Sequence, residues 1–362
     1  MAALDRSCLV GPVPFKDVNG DDDHVISPPD EDFFMGWGGG GPGCTPRSSA
    51  TEYADIVSAF PSIGGPDLHL RLYQDVWLFN ELVPGFISVQ RRFTPRPRDV
   101  LLASPPKCGT TCLKVLAFAT MARAAYPLSD ADHQLLRLNP HECVPFMEAL
   151  FSAGQEAKLD ALPSPRLLHT HMHHSMLPRS LADNPDCKII FVCREPKDML
   201  VSTWHFIKSA GGNSNSSFSD LFELACEGKN PYGPIWGHIL GYWRASKAAP
   251  GRVLFLRYEE MLADPVSAVR ELARFLGVPF SPAEEAAGLP TDIAEMCSID
   301  TMRGLDANKT GSSGTFVKFP HETFFRKGVE GDWVNHMTPE MARRIDAIVE
   351  DKLRGSGLTF SS

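Results

Sequence analysis

Residues 99–114 read DVLLASPPKCGTTCLK, and this stretch decides the reading of the fold. Residues 100–104 are apolar or small and suit a buried strand. Pro105, Pro106 and Gly109 then impose a tight loop, and from about Thr110 the chain continues as an apolar helix. A strand that turns this way into a helix aims backbone N–H groups and the helix N-terminus at one spot beyond the strand's carboxyl end. That spot is an anion cradle, to which Lys107 adds a positive charge and Thr110 and Thr111 add hydroxyls. The alternative is a plain strand-to-helix turn with an exposed lysine. The pattern is not GxxxxGK[ST]: the lysine precedes the glycine, the loop is shorter, and no magnesium ligand set is evident.

Working outward, apolar runs of strand length recur as RLLHTH (166–171), KIIFVC (188–193) and VLFLR (253–257), alternating with helical stretches. Prolines near a first helical turn mark helix starts at Pro196, at Pro265 after Asp264, at Pro282 after Ser281 and at Pro339 after Thr338. The expected class is α/β, a single domain with a central parallel β-sheet flanked by helices. It would occupy residues 67–362, a length that one large core accommodates. Residues 1–66 carry NGDDDH, SPPDED and GWGGGGPG without an apolar period, which reads as a flexible or loosely docked N-terminal arm.

Composition limits the partners. No apolar run approaches the roughly 18 residues of a membrane span. The first residues lack an export signal, and Ala2 excludes N-myristoylation. Nine cysteines are scattered without a CxxC pair, which suits free thiols in a reducing cytoplasm. A net charge of −9 argues against nucleic acid and acidic membranes, so an anionic ligand must be held by a few local cations.

Residues 167–178, LLHTHMHHSMLP, hold four of the 12 histidines. In a strand His169, His171 and His173 would share one face, but adjacent strand positions converge poorly on one ion and no second ligand motif helps, so no metal is expected. His173 and His174 would line an acceptor pocket or face solvent.

Three motifs in order carry a family resemblance: PKCGTTCLK resembles the 5′-phosphosulfate loop of the cytosolic sulfotransferases, CREPKDMLVS is similar to their 3′-phosphate motif, and RKGVEGDW to their C-terminal nucleotide loop. FISVQRRFTPRPRDVLLASPPK and GPIWGHILGYWRAS resemble the plant branch, and the resemblance spans about residues 70–358. It implies a P-loop-like nucleotide-binding fold and a donor, 3′-phosphoadenosine 5′-phosphosulfate (PAPS), used without a metal. Lys107, Gly109, Thr110, Thr111 and Cys112 would then lie around the 5′-phosphosulfate. Arg194, Ser202, Arg326, Lys327 and Gly328 would hold the 3′-phosphate, and Tyr258 would lie against adenine. Thr170-His171 followed by Pro178 matches the family's catalytic pair, making His171 the base for the acceptor hydroxyl and Lys107 the cation on the leaving oxygen.

Two departures matter. Cys112 stands where the family usually has a tryptophan against adenine, and His169 stands where animal members have a lysine. The implied acceptor is a small hydrophobic or phenolic molecule such as a flavonoid, brassinosteroid, hydroxyjasmonate or salicylate. The animal dimer motif is not recognisable between Lys309 and Lys327, which implies a monomer, with a weak homodimer as the alternative. Residues 208–220, KSAGGNSNSSFSD, read equally as a surface connection or a lid over the acceptor. Rival functions are a donor-weakened, non-catalytic nucleotide- or ligand-binding relative and, against the lysine placement, a nucleotide-dependent kinase.

Overall fold

β-Branched and aromatic residues bounded by turns build the strands, and their alternation decides which core each side chain joins. The computed structural model describes residues 11–18, 49–65, 68–129, 133–209, 217–314 and 318–360. An antiparallel sheet contains β1 (Ser62–Gly65), β2 (Leu68–Tyr73) and β3 (Val76–Phe79). A parallel sheet follows from β4 (Val100–Ala103), β5 (Leu167–Thr170), β6 (Lys188–Cys193) and β7 (Val253–Arg257), in the spatial order β5-β4-β6-β7. The expected α/β architecture with a parallel sheet flanked by helices is therefore present, and helices begin at Pro196, Pro265, Pro282 and Pro339.

Leu101, Ala103, Leu168, Ile189, Phe191 and Cys193 enter the core on one face. Val100, Leu102, Leu167, Ile190, Val192 and Leu256 enter the core on the other. Both faces are covered, as a parallel sheet requires. Because β4 lies between β5 and β6, the chain leaves it to opposite sides, which opens a crevice at the strands' carboxyl ends where such sheets bind ligands.

Part of the segment assigned to the arm is built into the domain. Tyr53 and Val57, on short helical turns, join the first core, and β1 pairs with β2, so regular structure starts before residue 67. Residues 1–10 and 19–48 of that arm lie outside the described residues.

At the opposite edge of the parallel sheet, Arg166 and Asp99, each 1% exposed in its side chain, form a two-pronged pair. Nε donates to Oδ1 at 2.9 Å and an Nη to Oδ2 at 2.6 Å, tying together the amino ends of β4 and β5. Removing Asp99 leaves the buried guanidinium only Asp160 at 3.6 Å and the Leu159 and Thr94 carbonyls, so Asp99→Ala is expected to cost about 3 kcal/mol in urea unfolding. A loss below about 1 kcal/mol, the worth of a solvated surface pair, would refute the burial argument.

Candidate active site

Each parallel strand delivers a predicted residue at or just after its carboxyl end. β4 leads into the cradle loop at Ser104, β5 into His171, β6 into Arg194 and β7 into Tyr258. The register pairs Ala103 with Thr170 and with Phe191, and Cys193 with Arg257, so these ends sit side by side.

The loop turns sharply where Lys107 has φ +65° and Gly109 φ +99°. A Cβ on Gly109 would sit 2.5 Å from Cδ2 of Tyr258, so the loop and the end of β7 touch only because residue 109 is glycine. The helix Thr110–Ala122 starts directly after it. Thr110 is buried with its hydroxyl 2.7 Å from that of Ser104, which spends one of the two predicted hydroxyls on the loop itself. Lys107 reaches over the ring of Phe206, Nζ 3.9 Å from the centroid. Burial, followed by the Arg194 and Arg326 charges, pushes its ammonium pKa down to about 7.

Arg194 is 6% exposed, donates to the Val329 carbonyl at 2.8 Å, lies 3.6 Å from Asp198 and covers the Tyr258 ring. Its buried Nε has no partner among the described residues. Ser202 is buried on the following helix, Pro196–Ser209. The C-terminal loop docks here because Asp198 accepts N–H bonds from Gly331 (2.7 Å) and Trp333 (2.9 Å). Arg326 and Lys327 both pair with Asp332, at 2.6 and 2.7 Å. Burial works against that carboxylate, yet hydrogen bonds from Lys327, Arg326 and Asn335 hold it well below its ordinary pKa. Gly328 has φ +67° and its Cα faces Ile299 closely enough that a Cβ would lie 2.5 Å from that side chain. Cys112 is half-buried among the apolar residues of the second core, where burial pushes its thiol up to about 12.

The imidazole of His171 is fixed from two sides. Its Nδ1 lies 2.7 Å from the carbonyl of Ser104 and must donate to it, which leaves Nε2 as the lone-pair nitrogen. Its backbone N–H donates to Glu148 Oε1 at 2.8 Å, which also accepts from the Thr170 hydroxyl at 2.6 Å. Burial, despite the Ser104 bond, pushes the pKa of His171 down to about 3, so the ring is neutral. Phe146 and Tyr232 pack on it, both at 5.1 Å.

The other histidines differ from expectation. β5 ends at Thr170, so His169, His171 and His173 do not share a strand face. His169 is buried edge-on to His171 at 4.5 Å, with neither ring nitrogen hydrogen-bonded. His173 does not face solvent: it is buried, bonded to the Tyr232 carbonyl and stacked on His238 at 4.2 Å. His174 is half-buried against Tyr242. No group of three metal-ligating side chains suited to an ion occurs among the described residues. Of the segment 208–220, residues 210–216 lie outside them.

The sequence reading passed over Ser104, Glu148, His141 and Lys114. Ser104 and Lys114 lie inside the quoted stretch, at the strand end and in the helix that follows. Glu148 alone left a trace, a single carboxylate in the apolar run VPFMEALF.

A parallel sheet whose crevice gathers a glycine-hinged anion loop, a neutral imidazole and a cationic C-terminal loop defines a group-transfer enzyme acting with an anionic donor. The chain belongs to the sulfotransferase family: the family's pattern, the Sulfotransferase domain, matches residues 97–357. It is 44% identical over 311 residues to cytosolic sulfotransferase 8 of Arabidopsis thaliana, covering 85% of this chain and 92% of that one. It is 40% identical over 314 residues to flavonol 3-sulfotransferase of Flaveria bidentis, covering 84% and 99%. Among solved structures, a mouse sulfotransferase complexed with PAP matches with TM-score 0.61 and 27% identity, over 80% of this chain and 96% of that one. The chain is a sulfotransferase.

Proposed function

We propose that the protein transfers the sulfuryl group of PAPS to a hydroxyl of a small hydrophobic or phenolic acceptor, as a cytoplasmic monomer. The observation that carries this reading is the bond from His171 Nδ1 to the Ser104 carbonyl, which ties the basic nitrogen to the loop that bears Lys107. PAPS supplies the activated sulfuryl group when bound. His171 Nε2 takes the acceptor hydroxyl's proton, and Lys107 neutralises the charge that develops on the leaving oxygen. Arg194, Ser202, Arg326, Lys327 and Gly328 would hold the 3′-phosphate, and Gly109, Thr110, Thr111 and Cys112 the 5′ side.

The residues fit an anion. Arg194 keeps a buried Nε without a partner among the described residues, and burial, then the Arg194 and Arg326 charges, lowers the Lys107 pKa. The PAP in the mouse structure and the cytosolic and flavonol names of the plant relatives point the same way. A second reading, a non-catalytic nucleotide binder, is favoured by Cys112, whose thiol offers no aromatic face to adenine. Loss of such stacking is worth about 1–3 kcal/mol per base in single-stranded nucleic-acid binders.

Calorimetric titration with 3′-phosphoadenosine 5′-phosphate (PAP), in buffer containing a chelator, tests both. Micromolar or tighter binding by wild type supports the transferase reading. Binding by Cys112→Trp alone supports the second. The binding is expected to take up protons near pH 7, because a bound anion raises a lysine pKa that is about 7 in the free protein. Affinity should therefore fall as pH rises above 7, by up to about tenfold per unit until the bound-state pKa is reached. Affinity that stays level from pH 7 to 9 would remove Lys107 from the site.

A further inference from the structure

Two side chains outside the predicted site, Lys114 and His141, form with Thr111 one line that ends in the cradle. Lys114, fully buried and one turn beyond Thr111 on the helix Thr110–Ala122, donates from Nζ to the Val144 carbonyl at 2.9 Å. The same Nζ lies 3.1 Å from Nδ1 of His141. His141 Nε2 in turn lies 3.2 Å from Oγ1 of Thr111.

Donor and acceptor inventory fixes the direction of this line. Burial pushes the Lys114 pKa down to about 7, so the amine is charged below that pH; a charged Nζ donates and never accepts, which makes His141 Nδ1 an acceptor and places the ring proton on Nε2. Nε2–H then donates to Thr111 Oγ1, which occupies a hydroxyl lone pair and leaves the Thr111 O–H to be donated elsewhere. The neighbouring Thr110 hydroxyl lies 2.7 Å from that of Ser104 instead.

His141 is held for the task. Its ring stacks on Phe324 at 3.9 Å and 26°, and its backbone N–H is capped by the Asn139 side chain at 2.9 Å. Asn139 is itself tethered to Asn308 at 2.8 Å. Burial and then the Lys114 charge keep the His141 pKa well below its ordinary value, so the ring keeps one donor and one acceptor nitrogen at working pH.

We infer that Lys114 and His141 are positioning residues for the anionic donor, acting through Thr111: they orient its hydroxyl as a donor toward the anion and pass the positive charge of Lys114 toward the cradle. This rests on the cradle being the donor's 5′ site.

The test is a double-mutant cycle on PAP affinity with Thr111→Val, His141→Ala and the pair. Each single change is expected to weaken PAP binding by about tenfold, the worth of one hydrogen bond to a charged group. The pair should bind no worse than the weaker single variant, because both break one line. His141→Gln, whose amide N–H replaces Nε2–H, should restore most of the affinity. Should alanine at 141 unfold the protein, nitrogen-15 shifts of His141 in the wild type replace it, with the Nε2–H tautomer expected. Additive losses, or the Nδ1–H tautomer, would overturn the relay and leave the donor site standing. Failure of wild type to bind PAP at all would overturn both.

Discussion

Replacing His171 by alanine is expected to lower kcat by about 10²–10⁴-fold, the usual worth of a positioned general base, while PAP affinity stays near wild type. The split follows from the geometry. Nδ1 is committed to the Ser104 carbonyl at 2.7 Å, so only Nε2 is available for the acceptor's proton. The neighbouring imidazoles are placed otherwise: His169 lies beside it but is 2% exposed, His173 is buried against His238, and His141 is held between Lys114 and Thr111. The cations that would hold the nucleotide belong to other elements, on the cradle loop, β6 and the C-terminal loop, and need not move when the imidazole is removed. Single-turnover rates with a phenolic acceptor, alongside PAP titration, separate the two effects. Full turnover in the alanine variant would exclude His171 as the base. A parallel loss of PAP affinity would mean that the Ser104 bond holds the cradle in shape, making His171 a structural residue.

The parallel sheet was legible because its strands are short apolar runs with breakers at each end. KIIFVC and VLFLR appear as β6 and β7 over those same residues. Their covered faces leave no polar alternation to confuse the reading. β1 to β3 were not legible. In LHLRLY only Leu70 is fully buried, so period-two alternation is faint. The turn to β3 uses Gln74 and Asp75 at φ +50° and +63°, a geometry that asparagine and glycine usually announce.

At the site, residues that follow a strand end within a motif could be read: Lys107, His171, Arg194, Tyr258. Those that support them could not. Glu148 and His141 reach the crevice from a separate segment, and their roles depend on where β5 ends and how the helix Thr110–Ala122 packs. A linear pattern carries neither. The histidine run shows the same limit. The family motif singles out His171 among the four, but nothing in the sequence shows that His169, in β5, and His173, bonded to the Tyr232 carbonyl, are buried.

That core placement makes the protein acid-labile. His141, His169, His171, His173, His174 and His238 all have pKa values below the ordinary 6.5, burial being the first cause for each; His173 is pushed down to about 4 and His171 to about 3. A depressed histidine contributes nothing at high pH, where both states are neutral. As pH falls below 6.5 the unfolded chain takes up a proton that the folded one refuses, so stability is lost from 6.5 downward. Glu148 and Glu195 act oppositely. Burial raises both to about 7, so the folded state holds protons that the unfolded one releases above 4.5. The buried histidines outnumber the two raised carboxyls, so unfolding takes up protons below pH 6.5 and stability falls with pH there. Urea melts at successive pH values should therefore show stability dropping from pH 6.5 downward, with a slope that reports the protons taken up. His238→Phe, which keeps a ring against His173 and Tyr242, should take one proton off that slope and move the transition to lower pH. A slope of one proton or less would mean that these imidazoles are charged in the folded protein. The same placement governs the rate profile: kcat/KM reports the free enzyme, so its acid limb should follow acid unfolding rather than an ordinary histidine titration near 6.5. A limb at 6.5 in a protein still folded there would mean that His171 is solvated and protonated in the free enzyme, contrary to its burial.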